Sequence, residues 1–200
     1  MDALTAILTR RSTRIYLDVV PDRELIEKVI EAGRYAPSGS NSQTTHLMVI
    51  TDRKVLDDLA DAVQEEFAKM EITEGMYISL KASIKASRNG SYRFHYDAPV
   101  LIVTANKAGY GNAVADSACV LENMMIAANA LDLGSCWINQ LHWLDENEKI
   151  RTMMMQFGLL EDETITGGLI LGYPKAGMPD RTMADRKGNP VTWITMKRGR

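Results

Sequence analysis

Arg10-Arg11-Ser12-Thr13-Arg14 and, one helix later, Pro37-Ser38-Gly39-Ser40-Asn41-Ser42-Gln43 are the stretches on which the reading of this chain turns. The first places three guanidinium groups and two hydroxyls within five residues. Such a density of charge-assisted donors suits the dianion of a phosphate monoester. The second offers amide and hydroxyl groups on a kinked backbone, which suits the polar edge of a planar heterocycle. An anion clamp followed by a ring-edge reader points to a phosphorylated, ring-bearing small molecule. Each stretch also has a plainer reading: a basic helix end that complements the helix dipole, and turn chemistry between a helix and a strand.

Working outward, the global numbers narrow the class. A chain of 200 residues with ordinary hydrophobic content reads as one domain over 1–200, with enough apolar residues for a sizeable core. A formal net charge of -3 lacks the clustered cationic surplus that binding a nucleic-acid backbone demands. The basic end Lys197-Arg198-Gly199-Arg200 reads as a solvated terminus. No apolar run reaches the length of a membrane span, and Asp2, Arg10 and Arg11 interrupt any N-terminal leader. The expected setting is therefore the cytoplasm. Cys119 and Cys136 lie inside apolar segments and read as buried thiols in a reducing compartment. They are too few for a cysteine metal site, and His46, His95 and His142 lack ligand spacing, so no metal is expected.

The pattern along the chain alternates helices and short strands. Asp2 to Thr9 is a short helix that delivers the arginine cluster, and Asp22 to Ala36 is a helix with Leu25, Ile26, Val29, Ile30 and Gly33 on one face. Pro37 stops it. His46–Thr51 reads as a strand, and Arg53–Met70 as an amphipathic helix. Pro99–Ala105, PVLIVTA, is the cleanest buried strand. Asn112–Leu133 is a helix apolar nearly all round, which implies burial on several sides, in the core or in a dimer interface. Ser135–Asn139 reads as a strand. Asp145 and Glu148 read as a capping pair for a helix through Phe157, and Thr166–Leu171 as a last strand. Residues 73–97 combine loop signals with aromatics, and 175–200 lacks periodicity and reads as an extended tail.

Four motifs in register resemble the nitroreductase family of FMN-dependent oxidoreductases. They are Arg-Arg-Ser-x-Arg at 10–14, Pro-Ser-x-x-Asn-x-Gln at 37–43, Ala-Pro-Val-Leu-Ile-Val at 98–103 and Leu-Gly-Tyr-Pro at 171–174. The resemblance implies an α+β three-layer sandwich with a mixed, mostly antiparallel sheet flanked by helices. It also implies an intertwined homodimer with two FMN sites at the interface. The implied activity moves electrons from NADPH or NADH through flavin N5 to a nitroaromatic, quinone or similar small-molecule acceptor in a ping-pong cycle, with no catalytic side chain. Relatives of this fold also use flavin for dehalogenation, flavin fragmentation or dehydrogenation, and a flavin-binding regulatory module is the reading from another class.

Carried onto this sequence, the resemblance assigns Arg10, Arg11, Ser12 and Arg14 to the FMN phosphate and ribityl chain, joined from the tail by Arg186 and Lys187. It assigns Pro37, Ser38, Gly39, Ser40, Asn41 and Gln43 to the flavin ring of the partner subunit. Asn139 and Gln140 fall where a backbone N–H meets flavin N5. Residues 73–97 become a variable roof over the active site. This chain departs from the family at Thr44-Thr45, where Pro-Trp is common, and at Asn139-Gln140, where small residues are common.

Overall fold

The computed structural model describes residues 1–179 and 182–194. The basic end at 197–200, and the parts of the expected 175–200 tail at 180–181 and 195–200, lie outside the described residues. Among those described, the elements are α1 (Ala3–Thr9), α2 (Arg23–Arg34), β1 (His46–Ile50), α3 (Arg53–Lys69), α4 (Ile78–Arg88), β2 (Val100–Lys107), α5 (Ala113–Ala130), β3 (Gly134–Ile138), α6 (Gln140–Trp143), α7 (Glu148–Gln156) and β4 (Glu163–Gly172). None of these helices is long and apolar enough to cross a membrane.

The sheet has the order β1-β2-β4-β3, and each neighbouring pair is antiparallel. Parallel character enters at an isolated bridge between Ser12 and Ser135. Because side chains alternate along a strand, β2 feeds both faces. Val100 and Ile102 join Ile26 and Val29 of α2 and Val120, Leu121 and Met124 of α5 in one core. Leu101, Val103 and Ala105 join Leu56, Leu59 and Phe67 of α3, Ile84 of α4 and Ile150 and Met154 of α7 in the other. Three layers result, each half held by side chains whose full burial contributes about 1.5–3 kcal/mol apiece.

Local chemistry sets the helix ends. Asp2 caps α1 through Thr5 N (3.1 Å), and Asp52 caps α3 through Val55 N (3.0 Å). The cap of α7 is Asn147, bonded to Ile150 N at 3.1 Å, and not Asp145 as the sequence suggests. Asp145 is instead drawn to β4, where it accepts from Ile165 N (2.8 Å) and Thr164 Oγ1 (2.5 Å). The stretch 73–97, expected as loop and aromatics, contains α4. Its buried side presents Ser83 and Ser87 beside Ile84, so the apolar periodicity is weak. Arg88 closes that helix against α3 by donating to Met70 O (2.6 Å) and Ala68 O (3.3 Å).

α5 is only partly enclosed. Its inner side is buried through Val120, Leu121, Met124 and Ala128, whereas Val114, Ala115 and Cys119 are exposed. Of the two thiols expected to be buried, Cys136 is and Cys119 is not. On α1, Leu4, Ile7 and Leu8 are also exposed. β1 has a strand partner on one side alone among the described residues.

His95 lies fully buried beside Phe94, and neither ring nitrogen has a hydrogen-bond partner among the described residues. Burial, helped by the Arg93 charge, holds its pKa below the ordinary histidine value, with Asp97 opposing. The unfolded chain therefore takes up this proton first. Stability is full above about pH 6.5 and falls as pH drops below it, by up to about 1.4 kcal/mol per pH unit, until the folded-state pKa is reached. Urea midpoints measured from pH 7.5 to 5.5 should decline in the wild type and decline less in His95→Gln; parallel slopes would show that His95 is not the responsible group.

Candidate functional site

The arginine cluster owes its arrangement to β3. Thr13 N–H donates to Ser135 O at 2.9 Å, and the Ser12–Ser135 bridge runs parallel, so residues 10–14 lie extended along that strand. Thr13 turns inward, and Tyr16 Oη donates to its carbonyl at 2.6 Å. A side chain at Gly134 would meet Thr13 Oγ1 at 2.7 Å, so this close seating requires glycine there. The extended backbone puts alternate residues on one side, and Arg10, Ser12 and Arg14 share the outer one. Farther along, Leu17 N–H donates to Tyr173 O (2.8 Å) and Lys175 N–H to Ile15 O (3.1 Å), which ties the cluster to the Gly-Tyr-Pro turn.

The members differ in what they already hold. Arg14 is exposed, lies 5.9 Å from the centroid of the Tyr96 ring and makes no ion pair among the described residues. Arg10 lies 3.7 Å from Glu122 of α5. Arg11 faces elsewhere: its guanidinium donates to the carbonyls of Leu8, Arg10 and Thr182, the last at 2.7 Å. Arg186 and Lys187 lie exposed on the tail just beyond Thr182, without side-chain bonds among the described residues.

Arg14 also opens onto a cavity of about 300 Å³ that is lined by Tyr77, Ser79, Tyr96, Cys136, Trp137, Ile138, Asn139, Gln140 and Trp143. Its walls are mostly aromatic and amide, and among the described residues Arg14 is the one charged group that lines it. Tyr77, just before α4, and Trp143 of α6 meet edge to face at 6.1 Å and form one rim. Trp137 Nε1 donates to Asn139 Oδ1 (2.6 Å), and Trp137 stands half-buried at the cavity while packing against the core shared by α2 and α5. Asn139 N–H donates to Gln140 Oε1 (3.1 Å), and Gln140 Nε2 donates to Tyr92 Oη (2.8 Å), which in turn meets Ser83 Oγ (2.8 Å). Burial pushes the Tyr92 phenol above its usual pKa.

The second stretch lies apart. Gly39–Asn41 form a short 3₁₀ turn, and Ser40, Asn41 and Gln43 adopt positive φ. Gln43 N–H donates to Ser38 Oγ (3.0 Å) and Gln43 Nε2 to Asn41 Oδ1 (3.0 Å). Pro37, Ser38 and Gln43 line a smaller cavity of about 140 Å³ with Gly33, Thr45 and Val120. Among the described residues, none lines both cavities. Within one chain, the structure thus joins residues 10–14 to Asn139 and Gln140 but does not join either to 37–43. Tyr77 and Tyr96 fall in the stretch 73–97 expected to roof the site, whereas Trp143 and Asp116, which also belong to these two regions, were not marked by the sequence alone. For Tyr77 and Trp143 the signal was aromatic residues flanking loop segments.

A fold of this kind has known counterparts. The profile of the nitroreductase family matches residues 7–173, and the chain belongs to that family. It is 30% identical over 189 residues, covering 94% of each chain, to a protein from Archaeoglobus fulgidus provisionally named NADH dehydrogenase/NAD(P)H nitroreductase. It is 26% identical to a nitrobenzene nitroreductase from Ectopseudomonas oleovorans, covering 90% of each chain. The crystal structure of a nitroreductase with bound FMN from Bacteroides fragilis superposes with a TM-score of 0.81 at 29% identity, covering 98% of each chain.

Proposed function

We propose that this protein is an FMN-dependent oxidoreductase that draws electrons from NADPH or NADH and delivers them to a nitroaromatic, quinone or similar small acceptor. The observation that carries this reading is the outward row Arg10, Ser12 and Arg14, pinned along β3 beside a cavity walled by aromatic rings and amides. The donor set fits FMN: a cationic end for a phosphate, ring faces for a planar tricycle, and backbone and amide groups for its polar edge. FMN, when bound, supplies the chemistry of accepting a hydride from the nicotinamide and releasing electrons to the acceptor.

What the chain supplies is binding, orientation and electrostatics. Arg14 and Ser12 hold the phosphate end, with Arg10 shared between that task and Glu122. The main chain at Gln140, whose side chain accepts the Asn139 N–H and is braced through Tyr92, offers an N–H at the ring. Tyr77 and Trp143 narrow the mouth and exclude water. Ser40, Asn41 and Gln43 present ring-edge groups, and because none of them lines the cavity beside Arg14, they serve the site of a partner subunit. A homodimer would cover the exposed faces of α1 and α5 and give the free edge of β1 a strand partner. Val191, Trp193 and Ile194, exposed on the extended tail, are the apolar groups that would reach across.

The test begins with colour. Purified protein should be yellow, should bleach anaerobically on addition of NADPH or NADH, and should regain its colour when a nitroaromatic or quinone is added. Bleaching without reoxidation would favour a flavin-binding module, and a protein that takes up no FMN would end this reading.

A further inference from the structure

The loop from Pro37 to Gln43 is held in a demanding shape, and the group that holds it is a carboxylate. Ser40, Asn41 and Gln43 have φ of 53°, 54° and 51°, a region that residues with a Cβ adopt only where their surroundings fix them. Asp116, in the first turn of α5 and 6% exposed, supplies that fixing. Gly39 N–H donates to both of its oxygens, at 3.0 and 3.2 Å. Tyr110 Oη donates to Oδ2 at 3.0 Å, and Ser42 Oγ reaches the same oxygen at 3.5 Å. Tyr110 Oη in turn lies 3.4 Å from Gly39 O and 3.2 Å from Ser42 Oγ.

Three features separate this from incidental packing. No lysine or arginine pairs with Asp116 among the described residues, so a buried carboxylate rests on hydrogen bonds and the field of the α5 N-terminus alone. Each side-chain bond it makes goes to the loop, or to Tyr110, which itself bonds the loop. The seat is also close at Gly39, where a Cβ would lie 2.6 Å from Tyr110 Oη and overlap the Asn112 amide, so a side chain there would displace the tyrosine hydroxyl that braces the loop.

We infer that Asp116, assisted by Tyr110, is a positioning residue for the cofactor: it fixes loop 37–43 so that the exposed Ser40, Asn41 and Gln43 meet the ring edge already ordered. This rests on the FMN reading above. Preorganisation of this kind raises affinity by removing the ordering cost from the binding step.

The experiment compares wild type, Asp116→Ala, Asp116→Asn and Tyr110→Phe by two readouts. One is amide exchange of the peptide spanning 37–44, followed by mass spectrometry on cofactor-free protein. The other is FMN affinity from flavin fluorescence, with the visible spectrum of the bound flavin. Asp116→Ala should speed exchange in the loop and weaken FMN binding, each by about tenfold, the scale of a lost hydrogen bond to a charged group. Exchange in α5 and β2 should stay unchanged. Asp116→Asn keeps a carbonyl for Gly39 N–H and should recover most of both effects, and Tyr110→Phe should fall between. Wild-type exchange and affinity in Asp116→Ala would overturn the inference. So would loosening of α5 and β2 together with the loop in both Asp116 variants, which would make Asp116 a packing residue. If the loop loosens while FMN affinity holds, the positioning role falls but the cofactor reading survives. If wild type binds no FMN, the cofactor reading itself falls.

Discussion

Arg14→Glu should strip the cofactor from this protein. The wild-type guanidinium is exposed, stacks on Tyr96 and has no carboxylate partner among the described residues, so its charge is free for an anion. A hydrogen bond to a charged group contributes about 1.5–3 kcal/mol. A carboxylate placed a few ångströms from a phosphate adds repulsion of about 1–4 kcal/mol, depending on how much water screens it. Even the lower ends of these ranges together weaken FMN binding about 50-fold or more, enough for protein purified without added flavin to be nearly colourless. The fold should be untouched, because the cluster is seated by backbone pairing of Thr13 with Ser135 and not by the Arg14 side chain. Arg11→Ala is the matched control. Its guanidinium already serves the Leu8, Arg10 and Thr182 carbonyls, so flavin affinity should change little. Arg10→Ala should fall between the two, since Glu122 already offsets part of that charge. Flavin affinity measured by fluorescence titration decides the matter, and wild-type affinity in Arg14→Glu would remove the phosphate clamp.

How much of this was legible in the sequence follows from where each feature gets its information. β2 was plain because a strand covered on both faces must be mostly apolar, and Val100–Ala105 is, with Thr104 as the one exception. α5 was plain for a related reason, yet the inference that both cysteines are buried failed. The exposed position of Cys119 depends on which side of the helix meets the sheet, and an all-round apolar pattern does not encode that side. α4 was obscured because serines occupy buried positions that periodicity expects to be apolar. Asn147 and Asp145 are both good caps; which one serves was decided by β4, which claims Asp145 through a backbone N–H 20 residues away. In the candidate site, residue types pointed to an anion clamp, but the division between outward Arg10, Ser12 and Arg14 and diverted Arg11 required the parallel contact with β3. Asp116 was invisible for the same reason. In sequence it is one acidic residue in an apolar helix, and its meaning comes from Gly39, 77 residues earlier.

A mixed dimer should recover a flavin site that neither parent possesses. Arg14→Glu disables the clamp, and Gly39→Val disables the ring-edge loop, because its side chain would overlap the Asn112 amide and displace the turn. Each variant alone should form a homodimer with both sites defective. In the heterodimer the outcome depends on where the halves of each site come from. If the clamp of one subunit works with the loop of the other, the two defects fall together in one site and leave the second intact. Flavin content should then rise from near zero to about half of wild type, and turnover should return with it. If clamp and loop of the same chain built one site, each subunit would carry its own defect and nothing would be recovered. The separate cavities beside Arg14 and beside Pro37, Ser38 and Gln43 favour the first outcome. Co-expression with two affinity tags isolates the heterodimer, and flavin absorbance per protein gives the count. A colourless heterodimer of confirmed composition would return clamp and loop to a single chain, or remove one of them from the site.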